Sequence, residues 1–167
     1  RGLILNSYGV NFESSGRIEE AIQHYHESLR ICDRVGHLRG KSAALTNLGH
    51  LHEVRLGEYQ KARDYYQQSI EIKTILGEPV AISISMTNLA DVLYALGETN
   101  KGHRFNLKAI DLTLGAKALM YTARVIWSFS RFFATQGQLD QGLFLAFFLT
   151  QTQESEQWVR DEVRDYL

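Results

Sequence analysis

The feature that most constrains this chain is that it repeats itself every 40 or 41 residues. Four segments align: YGVNFESSGRIEEAIQHYHESL from Tyr8, LGHLHEVRLGEYQKARDYYQQSI from Leu48, LADVLYALGETNKGHRFNLKAI from Leu89 and FSRFFATQGQLDQGLFLAFFLT from Phe129. Each segment has a central glycine: Gly16, Gly57, Gly97 and Gly137. A small residue precedes it in each segment: Gly9, Gly49, Ala90 and Ser130. Another small residue follows it: Ala21, Ala62, Gly102 and Gly142. A period of this length is typical of stacked units rather than of one irregular core.

Each copy predicts a pair of helices. In the first copy Tyr8 and Phe12 lie four residues apart, Gly16 interrupts the pattern, and Ala21 and Tyr25 resume the four-residue spacing. Such spacing places side chains on one face of a helix, and glycine is a common helix stop. No stretch sustains the alternation of a β-strand, so the sequence predicts an all-α fold.

The recurring small residues predict close contact between the two helices of a pair. A glycine inside a helix costs about 1 kcal/mol relative to alanine, so its recurrence needs a compensating gain. Small side chains let two helices approach, and larger neighbours such as Tyr25 and Tyr66 then fill the space beside them. We therefore expect Gly49→Leu to overpack this contact.

The second copy, NLGHLHEVRLGEYQKARDYYQQSI, resembles the tetratricopeptide repeat, and the match weakens toward the fourth copy. The standard unit of that family has about 34 residues, whereas these units have about 40. Longer units of this kind are similar to those of kinesin light chains, spindle-orientation adaptors, peptide-sensing bacterial regulators and the sensor ends of bacterial signalling ATPases. The resemblance implies a right-handed α-solenoid of about four helix-turn-helix repeats.

The predicted organisation is a single domain with repeats at about 2–41, 42–82, 83–122 and 123–152. Residues 153–167 are predicted to form an amphipathic capping helix over the last repeat, because apolar residues recur there at roughly helical spacing: Trp158, Val159, Val163 and Leu167. The alternative is an association surface formed by Phe144, Phe147 and Phe148. Since the chain begins and ends inside predicted helices, we expect it to be part of a longer protein.

Composition argues against several classes of partner. The formal charge of −1 and the pI near 6.7 give no basic footprint for nucleic acid or an acidic membrane. The apolar run GLFLAFFL at 142–149 is far shorter than the ~20 residues of a membrane span. A single cysteine, Cys32, forms no internal disulfide, and no leader resembles a secretory signal, so a cytoplasmic location is expected.

No motif predicts catalysis, a metal or a cofactor. GHLRGKS at 36–42 is one residue short of a phosphate-binding loop, and similar junctions follow in later repeats, which favours an inter-repeat loop. Two histidine pairs, His24 with His26 and His50 with His52, are two residues apart on predicted helices and so point in different directions. Neither a zinc pair nor a nucleophile turn is present, and we expect no enzyme activity.

The resemblance implies that the first helix of each repeat lines a concave groove that binds a protein or peptide segment. Matching the family's groove positions selects thirteen candidates: Asn6, Val10, Thr46, Asn47, His50, Glu53, Thr87, Asn88, Asp91, Tyr94, Trp127, Ser128 and Arg131. Asn47 and Asn88 occupy the same place in successive repeats, and each amide can pair with both the N–H and the C=O of a peptide backbone. The alternative is that these asparagines tie neighbouring helices together.

The candidate groove is chemically mixed. Glu53 and Asp91 are acidic, Arg131 is basic, and Tyr94 and Trp127 can anchor an apolar side chain. Family members that hold a C-terminal carboxylate use paired lysines and asparagines, and this chain has no lysine at those places. A ligand with a basic residue near Glu53 and Asp91 and an apolar residue near Trp127 is expected.

The sequence therefore predicts a protein- or peptide-binding module, the sensor or scaffold part of a larger bacterial signalling protein. One alternative is a domain that assembles with a second copy of itself or with the rest of its own chain. The other is an enzyme that uses the groove for chemistry.

Overall fold

The computed structural model describes residues 2–137, and these residues form seven α-helices and no strand. The helices are α1 (Gly2–Ser14), α2 (Ile18–Arg34), α3 (Leu38–Val54), α4 (Tyr59–Leu76), α5 (Pro79–Ala95), α6 (Thr99–Gly115) and α7 (Leu119–Thr135). The all-α fold predicted from the sequence is confirmed. The second half of the fourth copy, the three phenylalanines 144, 147 and 148, and the predicted capping helix lie outside the described residues.

The chain divides into two compact units, unit 1 (Arg1–Glu78) and unit 2 (Pro79–Leu167). In unit 1, α1 packs against α2, α2 against α3, and α3 against α4, while α1 also contacts α3. In unit 2, α5 packs against α6, α6 against α7, and α5 also contacts α7. Each unit thus brings the first helices of two successive pairs side by side.

Residues that interrupt or begin helices lie at the turns between them. Gly57, between the helices of the second pair, has φ 65°, a left-handed conformation that glycine adopts without strain. Lys117, between α6 and α7, adopts the same region with φ 54° although it is not a glycine. Pro79 is the first residue of α5, where a missing N–H costs no helical hydrogen bond. First helices begin at Leu38, Pro79 and Leu119, about four residues before the repeat boundaries given above.

Glycine and tyrosine are in close contact in both helix pairs of unit 1. A Cβ atom on Gly9 would lie 2.5 Å from the Tyr25 ring, and one on Gly49 would lie 2.7 Å from the Tyr66 ring. Both tyrosines are fully buried, and the close contact that the small residues predict is therefore present. This packing fixes how far apart the two helices lie, and with it the direction in which the first-helix side chains point.

Candidate functional site

The thirteen candidate residues fall into two sets, one in each unit. Six lie on α1 and α3, which we call the unit 1 face, and seven lie on α5 and α7, which we call the unit 2 face. The family's groove positions are thus on first helices that contact each other within each unit. We describe the two faces separately.

Two asparagines meet on the unit 1 face. The side-chain amide of Asn47 donates to Oδ1 of Asn6 over 3.1 Å, which joins α3 to α1. Both side chains are half-buried. One bond uses only part of the capacity of two amides, each of which has two N–H donors and a carbonyl acceptor. The pair can therefore both join the helices and offer hydrogen bonds to a ligand.

A buried carboxylate supports His50 on the same face. Oε1 of Glu13 lies 3.0 Å from Nδ1 of His50, and Oε2 accepts a 2.8 Å bond from the Tyr25 hydroxyl. Since a carboxylate only accepts, Nδ1 carries the proton, and Nε2 of the half-exposed ring is the acceptor when the ring is neutral. Burial, followed by the bond to Glu13, raises the pKa of Tyr25. Sequence reasoning missed Glu13, although its alignment with Glu53 marks it.

Glu53 and Thr46 bond to the second helix of their own pair. Oε2 of Glu53 accepts a 2.8 Å bond from the Tyr66 hydroxyl. The Thr46 hydroxyl lies 2.8 Å from that of Ser69 and accepts from Nζ of Lys73 over 3.0 Å. Burial lowers the pKa of Lys73 to about 8, against the opposing effect of Glu78. These two candidates hold α3 to α4, whatever else they contact.

Asp91 joins the two first helices of unit 2. Its carboxylate accepts a 2.7 Å bond from the Ser128 hydroxyl and a 3.0 Å bond from the Arg131 guanidinium. Ser128 is buried, whereas Arg131 is largely exposed. The structure thus brings three candidates together. Asp91, which the sequence analysis expects to bind a basic residue of the ligand, already forms an ion pair with Arg131.

Two other unit 2 candidates contact the interior. Tyr94 stacks on Phe132 at a centroid distance of 4.0 Å, and its hydroxyl accepts a 3.0 Å bond from the Asn106 amide. Burial raises the pKa of Tyr94. Thr87 is buried and donates to the backbone carbonyl of Ser83 over 2.9 Å. Asn88 is half-buried.

Exposed apolar side chains complete both faces. Val10 on α1 is 43% exposed, and Trp127 on α7 is 70% exposed. A tryptophan this exposed combines a large apolar area with an indole N–H donor, which is the combination enriched at binding hot spots. Of the two apolar anchors that the sequence predicts, Trp127 is thus exposed, whereas Tyr94 stacks on Phe132.

Within residues 2–137, no group of three or more histidine, cysteine, aspartate or glutamate side chains could hold a metal ion. No helix in that part of the chain is both long and apolar enough to cross a membrane.

Comparison with known proteins finds similarity to helical repeat proteins. Residues 1–75 match the tetratricopeptide repeat family. The human protein "SH3 domain and tetratricopeptide repeat-containing protein 2" is 31% identical over 72 residues, which are 43% of this chain and 6% of that protein. The crystal structure of BtubC (BKLC) from P. vanneervenii superposes with a TM-score of 0.74 at 15% identity, over 92% of this chain and 63% of that one.

At 15% identity, the likeness to BtubC shows the fold alone. The chain spans only a small part of the human relative and less than two thirds of the BtubC chain. Repeats of this family generally mediate protein–protein interaction and are typically non-catalytic. The match to the tetratricopeptide repeat family extends over residues 1–75, which are less than half of this chain.

Proposed function

We propose that this chain is a protein-interaction module whose unit 1 face binds an extended peptide segment. The observation that carries the proposal is the Asn6–Asn47 pair, which lies on first helices beside the exposed Val10 and the half-exposed His50. An extended peptide presents N–H and C=O groups that such amides can pair with, while Val10 supplies apolar contact. The family match over residues 1–75 covers this face.

Hydrogen bonds within unit 1 occupy its carboxylates and so make a basic ligand residue less suitable for this face. The sequence favours a basic ligand residue beside Glu53, but Glu53 accepts from Tyr66 and Glu13 holds both Tyr25 and His50. Recognition through backbone amides and an apolar side chain thus fits unit 1 better than recognition through its carboxylates. We propose a ligand whose main chain, rather than its charge, provides most of the contacts.

The module is proposed to act as the sensor or scaffold part of a larger signalling or regulatory protein. Repeats of this family occur as parts of longer chains, as in the human relative, of which the matched segment is 6%. A cytoplasmic location remains a prediction from the sequence.

A peptide selected from a random-sequence display library on the full chain provides the test. We expect Asn6→Ala and Asn47→Ala each to weaken its binding by about two- to twelvefold, the equivalent of 0.5–1.5 kcal/mol per lost hydrogen bond. Asn11→Ala, an exposed asparagine on α1, is the matched control and should leave affinity unchanged.

The same variants separate binding from helix joining. A double-mutant cycle on thermal stability measures the Asn6–Asn47 bond itself, and a cycle on affinity measures the contacts to the peptide. Loss of stability with unchanged affinity would mean that the asparagines only join helices. Light scattering over a concentration series tests the alternative, since self-assembly must increase with protein concentration.

A further inference from the structure

The two ring nitrogens of His50 have different surroundings. Nδ1 lies 3.0 Å from Oε1 of Glu13 on the neighbouring first helix α1, whereas Nε2 forms no hydrogen bond within residues 2–137. The His50 side chain is 51% exposed, and that of Glu13 is 11% exposed. Glu13 thus covers one nitrogen, and Nε2 is the ring atom left to form a hydrogen bond with a ligand on the unit 1 face.

A second hydrogen bond holds Glu13 in place. Its other oxygen, Oε2, accepts a 2.8 Å bond from the hydroxyl of Tyr25, which is fully buried. A carboxylate has no proton to donate, so Glu13 is the acceptor in both contacts. Because each oxygen already has a partner, the carboxylate keeps facing His50 and keeps the ring proton on Nδ1. In the neutral ring, Nε2 is then an acceptor.

The equivalent positions of unit 2 carry different chemistry. On α7, Arg131 occupies the position that His50 occupies on α3. On α5, Tyr94 occupies the position of Glu13 on α1, and it stacks on Phe132. Arginine has only donors. The same repeat position therefore offers an acceptor in unit 1 and a donor in unit 2, so the acceptor at His50 is not a general consequence of the repeat.

The neighbouring asparagine indicates which donor His50 meets. Asn47 lies about one helical turn before His50 on α3, and its bond to Asn6 uses an amide N–H and leaves Oδ1 as a second acceptor. An extended peptide offers a main-chain N–H at every residue except proline. Two acceptors on one side of α3 suit the edge of such a main chain. A ligand carboxylate opposite Nε2 would instead bring two acceptors together without a proton between them.

We propose that His50 is a specificity-determining residue of the unit 1 face, whose Nε2 accepts a main-chain N–H of the ligand. Glu13 is the positioning residue that keeps the proton on Nδ1, and it does not itself contact the ligand. This inference rests on the peptide site proposed above and adds to it the chemistry of one ligand position. The ligand residue opposite His50 has to supply an N–H, so it is not proline.

An amide-to-ester scan of the library-selected peptide tests the contact. Each ester removes one main-chain N–H from the peptide. At one position we expect the ester to weaken binding to the parent protein by about two- to twelvefold, the effect of losing one hydrogen bond. The same ester should not weaken binding to His50→Ala, where the acceptor is already missing. His26→Ala, at an exposed histidine on α2, is the matched control and should keep the full effect of the ester.

The tautomer of His50 tests the role of Glu13. Nitrogen NMR spectra distinguish a protonated ring nitrogen from a bare one, and His50→Ala identifies its signals among the six histidines. Near neutral pH we expect the proton on Nδ1. Glu13→Gln keeps the volume and can still accept from Tyr25, but its amide can donate to Nδ1, so it should lower the share of this tautomer and reduce the effect of the ester. Glu19→Gln, at an exposed carboxylate on α2, should change neither.

The outcomes separate this inference from the peptide site on which it rests. Circular dichroism first verifies that each variant is folded. If the peptide binds through Asn6 and Asn47 but no ester position depends on His50, the peptide site stands and this inference is wrong. A proton on Nε2 in the free protein, or an unchanged tautomer in Glu13→Gln, would also overturn it. If no library peptide binds, or the asparagine variants leave affinity unchanged, both proposals are wrong.

Discussion

The helix pairs α3–α4 and α5–α6 use the same two residue types at exchanged positions. In the first of these pairs, Gly49 lies on the first helix and the Tyr66 ring on the second, with 2.7 Å between the ring and a Cβ built on the glycine. In the other pair, Gly102 lies on the second helix and the Tyr94 ring on the first, with 2.4 Å for the same distance. Close packing requires that a glycine face a ring, but either helix can supply the ring.

The exchange changes the hydrogen bond as well. Tyr66 donates to the carboxylate of Glu53, whereas Tyr94 accepts from the neutral amide of Asn106. Asn106 is fully buried, and its Oδ1 has no hydrogen-bond partner among the described residues. The α3–α4 pair therefore contains a charge-assisted hydrogen bond, whereas the α5–α6 pair contains a weaker hydrogen bond beside an unsatisfied oxygen.

The largest expected effect is that of Gly49→Leu. Alanine already brings its Cβ to 2.7 Å from the Tyr66 ring, and leucine adds three more carbons, so we expect a loss of about 3 kcal/mol in the free energy of unfolding. Gly102→Leu should cost a similar amount, because its clash with Tyr94 is equivalent. Chemical denaturation measures both.

Gly115→Ala is the control for these variants, since its Cβ would meet no atom within 4 Å. It should be neutral or slightly stabilising, as expected when alanine replaces a helical glycine. Unaltered stability of Gly49→Leu would mean that the register of α3 against α4 is wrong.

The second prediction concerns the hydroxyl groups. Tyr66→Phe removes a bond to a carboxylate and should cost about 1.5–3 kcal/mol. The double variant Tyr94→Phe/Asn106→Leu should instead be close to neutral or stabilising, because it removes both partners and also the unsatisfied Oδ1. Equal losses in the two units would contradict the difference between their hydrogen bonds.

The third prediction is a pH dependence in unit 2. His103 lies among Tyr94, Phe129, Phe132 and Phe133, and burial lowers the pKa of its imidazole. The unfolded chain takes up this proton near pH 6.5, but the folded chain resists it until a lower pH. Stability should therefore fall as the pH drops below about 6.5.

His103→Phe should remove part of this loss, which melting curves at pH 7.5 and pH 5.5 would measure. An identical pH dependence in the variant would show that other groups cause the acid sensitivity.

The smallest expected effect on stability comes from removing the side-chain bonds that connect neighbouring first helices. Arg131→Ala removes the ion pair between a largely exposed guanidinium and the less exposed Asp91; it should cost about 1 kcal/mol, and the cost should shrink in high salt. Asn47→Ala removes the neutral bond to Asn6, so its cost should not depend on salt. Denaturation at two salt concentrations compares them, and a salt-dependent cost at Asn47 would contradict this assignment.

Several features were accessible from the sequence because they depend on local backbone preferences. The helix pairs followed from spacings of three and four residues, and the turn at Gly57 followed from a glycine between them. The close contact of Gly49 also followed, since a helical glycine without a packing role would be costly.

The candidate faces were only partly accessible. Alignment placed Glu53 and Tyr94 among the candidates on first helices, but it could not show that Glu53 bonds to Tyr66 or that Tyr94 packs on Phe132. Alignment with Glu53 marks Glu13 as an equivalent position, but it could not show that Glu13 supports His50 from another helix. Each of these roles depends on a partner that lies twelve or more residues away in the sequence.

The sequence by itself determined that this protein is a series of helix pairs with small residues where the two helices meet. It could do so because helical periodicity and helix termination at glycine are local properties of the chain. Only the tertiary structure decided which polar side chains bond to each other and which remain exposed. A side chain of a given type is satisfied or available according to what packs against it, and that depends on distances between helices. The unpaired capacity of the asparagines and the exposure of Trp127 are consequences of that packing.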